Sequence, residues 1–188
     1  MHPSLSFTVR ANGGAHLHTL LTPCDVFPAS AQLAGRPITT ARFQAIWDTG
    51  ATRSVISQAV VDTCGLVATG MANVIGVNGP HESETYVVHI ALPNGLLVHD
   101  VQVTKGDFGA GQQILIGMDI IGLGDFAVTN NGGGTVFSFR VPSRACYDFV
   151  QEHNDEAARA PRAARPPRPS GPAPVGKKKL RSNRGRNR

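Results

Sequence analysis

Cysteine is scarce in this sequence. Cys24, Cys64 and Cys146 are odd in number, widely spaced and form no C-x-x-C pair, which excludes a disulfide framework and a zinc-finger spacing. They read as small, mostly buried thiols in a reducing compartment. Long apolar runs are also missing. No stretch of ~18 apolar residues could span a membrane, and no continuous apolar core follows a basic start, so no secretory leader is expected. The expected location is cytoplasmic. No internal repeat is visible.

Charge is present but unevenly placed. Residues 151–188 hold 11 basic side chains against Glu152, Asp155 and Glu156, a net +8, whereas the first 150 residues carry −3. The alkaline balance therefore belongs to the C-terminal stretch. That stretch has six prolines and almost no large apolar residue, so it cannot bury enough surface to offset the entropy of ordering. Residues 143–188 are expected to be a linker and a disordered Pro/Arg/Lys-rich tail. Lys177-Lys178-Lys179 and Arg181 to Arg188 would attract phosphates, but without aromatic residues for stacking any nucleic-acid contact is weak and sequence-blind.

The body reads as mostly β. Short strands are predicted over Ser6 to Arg10 and Ala15 to Leu21, separated by Asn12-Gly13-Gly14. A strand from Ile38 to Trp47 follows Pro37. Ser57 to Leu66 is the best helix, with Ser57 at its N-cap and Gly65 beyond its end. Met71 to Val77 and Glu82 to Ala91 form a long hairpin tipped by Gly76, Gly79 and Pro80. Further hairpin signals lie at Asn94-Gly95 and Asn131 to Gly134, and Gln112 to Ile116 is another apolar strand. Closely spaced strands, Gly-rich turns and one or two short helices predict a small closed β-barrel.

Within that pattern, Phe43 to Trp47 is an apolar run that stops on Asp48, followed by Thr49, Gly50 and Ala51. A carboxylate at a strand end beside a glycine is how a reactive acid is presented on rigid support. Asp-Ser/Thr-Gly arises by chance in roughly one chain in ten of this length, so the triplet needs a second signal. About 65 residues on, Ile114-Leu115-Ile116 runs into Gly117-Met118-Asp119 before a short helical turn. Such a glycine can pass under a neighbouring segment where no Cβ would fit.

The order Asp-Thr-Gly-Ala, helix, Gly-tipped hairpin, Leu-Ile-Gly-x-Asp resembles the retropepsin-like aspartic proteases, the single-lobe retroviral type and its bacterial relatives. The likeness runs from about Ile38 to Arg140. It implies an N-terminal extension over 1–37, a protease domain over 38–142, and an all-β acid-protease fold. By this resemblance Asp48 is the catalytic acid, and Thr49, Gly50 and Ala51 support its loop. Ile116, Gly117 and Asp119 brace that loop, and Gly76, Val77, Asn78, Gly79, Pro80 and His81 form a flap over an extended peptide or protein substrate. No metal, other cofactor or membrane is implied. Thr52-Arg53 and Met118 stand where viral members often carry an acid or asparagine and an arginine, so their ion-paired bracing is not expected here. Trp47 is bulkier than the family's usual aliphatic residue.

Aspartic proteolysis needs two carboxylates close enough to share a proton. The resemblance assigns only Asp48 a catalytic role, and ~140 residues are too few for a two-lobed enzyme, so a symmetric homodimer pairing two copies of Asp48 is implied. Ala51 also offers no hydroxyl to a neighbouring carboxylate, which implies an activity optimum at weakly acidic or neutral pH. A second function class stays open: a catalytically weak domain used for dimerisation or binding, with the tail contacting an acidic partner. Other residues read more plainly. His16 and His18 suit one face of a strand without a third ligand, Asp107 and Asp125 suit turns, and Ser54 and Ser57 suit helix-capping positions.

Overall fold

The computed structural model describes residues 5–29, 40–76, 79–107 and 111–159. Among the described residues, ten strands form two sheets. The larger contains β2 (Leu21–Pro28), β3 (Ala41–Trp47), β4 (Val55–Ile56), β5 (Gly70–Gly76), β6 (Gly79–Ala91), β7 (Leu97–Lys105) and β8 (Ile114–Ile116), in the order β2-β3-β8-β4-β7-β6-β5. Because β2 also pairs with β6, the hydrogen-bonded neighbours β2-β3-β8-β4-β7-β6 run in a circuit back to their start. Two of its seams are parallel, β3 with β8 and β4 with β7. The smaller sheet is antiparallel, with β10 (Val136–Val141) between β1 (Leu5–Arg10) and β9 (Asp125–Thr129). Two short helices are α1 (Gln58–Cys64) and α2 (Met118–Ile121), and α3 (Phe149–Arg159) follows.

The period-2 alternation decides which side chains fill the core. In β2, Thr22, Cys24, Val26 and Pro28 are the buried set. Val26, Ala45, Ile56, Val60, Val88, Ile90, Val103, Ile114, Ile116 and Phe137 have no exposed surface. Each fully buried Ile, Val or Phe contributes roughly 1.5–3 kcal/mol relative to an exposed one. Helix α1 ends as the sequence predicts: Gly65 adopts the left-handed conformation (φ 59°), and the Leu66 N–H returns to the Val61 carbonyl at 2.9 Å. Ser57 occupies the N-cap position, but its side chain makes no capping bond.

Several expectations need correction. No strand forms over Ala15 to Leu21. There the Ala15 carbonyl accepts from Thr135 N–H and the Leu17 N–H donates to the Thr135 hydroxyl, so the segment packs on the β10 entrance and the ladder starts at Leu21. His16 and His18 therefore share no strand face. Residues 5–29 are not an appendage: β2 lies between β3 and β6, and β1 pairs along the whole of β10. The described residues up to Ala145 form one compact unit, and those from Cys146 to Arg159 belong to a second. Within the second unit, α3 forms where a linker and tail were expected. Asp148 caps it by accepting from the Val150 and Gln151 N–H groups, each at 3.0 Å, and Gln151 reaches Asp155 one turn on. Composition alone hides this cap. Residues 160–188, with the rest of the expected tail, lie outside the described residues. Cys24 and Cys64 are buried, but Cys146 is exposed. Burial, with Asp25 adding to it, pushes the Cys24 thiol up to about 12.

Asp125 is more than a turn residue. On β9 it faces Arg140 of β10, which donates from Nε at 2.7 Å, and it also accepts from Ser143 Oγ and from the Arg144 and Ala145 N–H groups. It thus clasps residues 143–145 to the small sheet. The Ser143 hydroxyl, then the Arg144 N–H, then Arg140 hold its carboxyl below the usual carboxylate range. A depressed folded value means the stabilisation is complete above the unfolded value of about 3.9 and is lost as pH falls through the folded one. Urea midpoints should therefore decline as pH is lowered from about 5 to 2, and Asp125→Asn should make that decline shallower. An equally steep decline in Asp125→Asn would remove this clasp as a source of acid sensitivity.

No helix among the described residues is long and apolar enough to cross a membrane.

Candidate active site

β3 carries an apolar strand out of the core and releases it at Asp48. The position is fixed at its start by the Asp48 N–H, which donates to the Ile116 carbonyl of β8 at 3.0 Å. The side chain is half-buried, while Thr49 and Gly50 are exposed. Asp48 Oδ1 accepts from the Gly50 N–H at 2.8 Å, and the Ala51 N–H closes the turn onto the Asp48 carbonyl. One carboxylate oxygen is thus tied to the backbone beside it. Gly50 leaves the space this needs: a Cβ there would stand 3.2 Å from Oδ1.

β8 and α2 form the other side. The Gly117 N–H donates to Ser54 Oγ at 3.1 Å, and the Met118 N–H donates to the Ala51 carbonyl at 2.8 Å. Gly117 passes so close to the loop that a Cβ would lie 2.6 Å from the Arg53 carbonyl carbon. Asp119 accepts from the Ser54 N–H at 2.9 Å through Oδ2 and from the Ser54 hydroxyl at 2.8 Å through Oδ1. Ile116, Gly117 and Asp119 are therefore all brought against the 48–54 loop.

Ser54 is the residue the sequence reading missed. It was expected to cap a helix, but it is fully buried and bonds across the loop. The signal was available: a hydroxyl entering the apolar Val55-Ile56 strand needs a partner when buried, and Asp119 needs one as well. Among the described residues no ion pair fills this place. Arg53 points elsewhere, donating to Gln102 Oε1 at 3.0 Å.

Trp47, the residue before Asp48, enters a cluster of rings. Trp47 is 6% exposed, and Phe7, Phe126, Phe137 and Phe139 have centroids 5.0–5.9 Å from it. Its indole N–H donates to the Thr22 hydroxyl at 2.9 Å. The bulky residue before the acid is thus matched by aromatic side chains from β1, β9 and β10.

The hairpin β5–β6 carries Gly76, Gly79, Pro80 and His81. Gly76 pairs with Gly79 and His81 with Val74, while Val77 and Asn78 lie outside the described residues. Ile75 near the tip is 86% exposed. The base is held more firmly. Glu84 on β6 accepts from Lys105 of β7 and from the Tyr86 hydroxyl, and Lys105 first, then Tyr86, lower its carboxyl from the ordinary range.

Residues 36–122 match the family model described as gag-polyprotein putative aspartyl protease. The likeness is to the retropepsin-like aspartic proteases. This retropepsin-like segment takes in the Asp48 loop, α1, the β5–β6 hairpin and the Gly117 motif. The fold is all-β with few short helices. Solved structures similar to this chain include a retropepsin-like aspartic protease from Rickettsia conorii, at 11% identity and TM-score 0.45, covering 74% of this chain and 96% of that one. A second is the retroviral protease-like domain of Ddi1 from Leishmania major, at 15% identity and TM-score 0.38, covering 64% and 94%. A third is the foamy viral protease-reverse transcriptase in complex with an RNA/DNA hybrid, at 16% identity and TM-score 0.40, covering 73% of this chain and 14% of that one. No curated protein sequence matches the chain.

Proposed function

We propose that this chain is an aspartic endopeptidase, active as a homodimer in which Asp48 of each subunit supplies one of two facing carboxylates. The observation that carries this reading is the presentation of Asp48: an acid at a strand end, one oxygen tied to the Gly50 N–H, on a loop braced along its length by β8 and α2. A scaffold has no need of an ionisable group held in that way. The two acids share one proton, since like charges ~3 Å apart cannot both ionise. The charged member takes a proton from water as the water attacks the peptide carbonyl, and the protonated member donates to the carbonyl oxygen. Thr49 holds the paired loops across the two-fold axis. An extended peptide or protein substrate adds its backbone to neighbouring strands, and the β5–β6 hairpin closes over it to exclude water.

The rival reading, a catalytically weak dimerisation or binding module, drew its support from the lack of a viral-type ion pair. The hydrogen bonds of Ser54 with Asp119 and Gly117 occupy that role instead.

The test mixes purified protein with a peptide library from pH 4 to 7, alongside Asp48→Asn. Only the native protein should cleave, its activity per subunit should fall on dilution, and its optimum should lie at weakly acidic to neutral pH. Cleavage by both proteins, or by neither while both dimerise equally, would sink the enzyme reading. An optimum below about pH 3.5, under the ordinary carboxyl range, would count against the role given to Ala51.

A further inference from the structure

We infer that the cavity between the start of α1, the base of the β5–β6 hairpin and the end of β7 is a second binding site, one that takes the guanidinium of an arginine side chain on a peptide. That the cation arrives on a peptide rests on the proteolytic reading above. The cavity measures about 720 Å³, within the range of small-ligand sites. Ser57, Met71, Glu82, Glu84, Lys105 and Asp107 form much of its wall. Among the described residues, none from the Asp48 loop or the Gly117 motif lines it, so it is separate from the candidate active site.

Charge chooses the ligand. The lining carries three carboxylates against one ammonium, a net of two negative charges with His81 neutral. Lys105 is already committed to Glu84, which also accepts from the Tyr86 hydroxyl, and these contacts favour the charged form of Glu84. The Lys105 charge is therefore spent, and an entering anion would meet Glu82 and Asp107. The first turn of α1 offers at most about half a positive charge, too little to reverse that sign. An alkyl stem suits the apolar part of the wall, where Ala59 and Met71 stand. A second observation is independent of charge. Among the described residues, Ser57 Oγ is the one buried side-chain oxygen or nitrogen without a hydrogen-bond partner. It does not cap α1. Buried hydroxyls are normally paired, and a guanidinium brings five N–H donors in a planar fork, enough for a carboxylate and this hydroxyl together.

The test titrates the full chain, labelled with nitrogen-15, with acetyl-Arg-Arg-amide, acetyl-Gln-Gln-amide and putrescine at low salt. The arginine peptide should bind saturably at millimolar concentration and move the amide signals of residues 57–59, 81–84 and 105–107, while those of 48–54 stay in place. The glutamine peptide should not bind. Putrescine, of equal charge, should bind more weakly because it lacks the planar fork. Glu82→Gln, at an exposed position, should weaken binding about two- to fivefold, as one partly exposed ion pair does. Ser57→Ala removes a hydroxyl that bonds nothing in the free protein, so it should leave the urea midpoint unchanged and still weaken binding. No saturation, equal binding of the glutamine peptide, or native affinity in either variant overturns the site. Tighter binding of putrescine overturns the peptide source. If the native protein cleaves no peptide, the proteolytic reading fails on its own, and the titration still decides whether the cavity takes the cation.

Discussion

Gly117→Ala is expected to lose about 3 kcal/mol of stability, the upper end of what overpacking a core site costs. The backbone at Gly117 is ordinary extended chain (φ −97°), so an alanine suffers no conformational penalty there. The cost is steric. A methyl group would stand 2.6 Å from the Arg53 carbonyl carbon, 2.7 Å from its oxygen and 2.9 Å from the Ala51 oxygen. These are backbone atoms of the loop that carries Asp48, so relief requires moving the loop and with it the bonds from Met118 and Ser54. Gly95→Ala is the matching control. Gly95 has φ 79° with open space around it, and its cost is conformational alone, about 1–2 kcal/mol. Urea unfolding of the two variants measures the difference. A Gly117→Ala protein no less stable than Gly95→Ala would mean that the two motifs are not packed as described.

The second large effect concerns stoichiometry. Asp48→Asn should abolish peptide cleavage, a loss of at least ~10² to 10⁴-fold for removing a general acid–base group. Mixing makes this informative. If the site needs Asp48 from both subunits, a mixed dimer is dead, because one carboxylate and one amide cannot share a proton as two carboxylates do. Equal amounts of native and Asp48→Asn protein, unfolded and refolded together, pair at random, so about a quarter of the dimers are fully native. Activity should fall to about a quarter of that of the same total protein, all native, and trace the square of the native fraction. A linear fall to one half would show that each subunit works alone.

Asp48 and Gly117 were legible because each breaks the pattern around it: an acid ends an apolar strand, and a glycine ends another. Gly65 was legible for a related reason, since a left-handed residue after a helix narrows the choice to few side chains. Pairing distant in sequence was not legible. β1 joins β10 across about 130 residues, and nothing local in Ser6 to Arg10 names that partner. Ser54 was misread for the same cause. Its neighbours in sequence suggest a cap, whereas its partners lie 63 and 65 residues away. The helix at Phe149–Arg159 was hidden by averaging, because the proline-rich composition of residues 160–188 masked one well-placed aspartate at 148.

Trp47 has a consequence of a different kind. It is the chain's one tryptophan, it lies next to Asp48 in sequence, and its indole is shut into a dry stack of rings contributed partly by β1 and β10. Its emission is therefore a native optical gauge of how dry that ring cluster remains. If β1 peels away and Phe7 leaves the stack, water reaches the indole and the emission reddens, so that fraying at the chain's beginning is signalled from beside the acid without any attached dye.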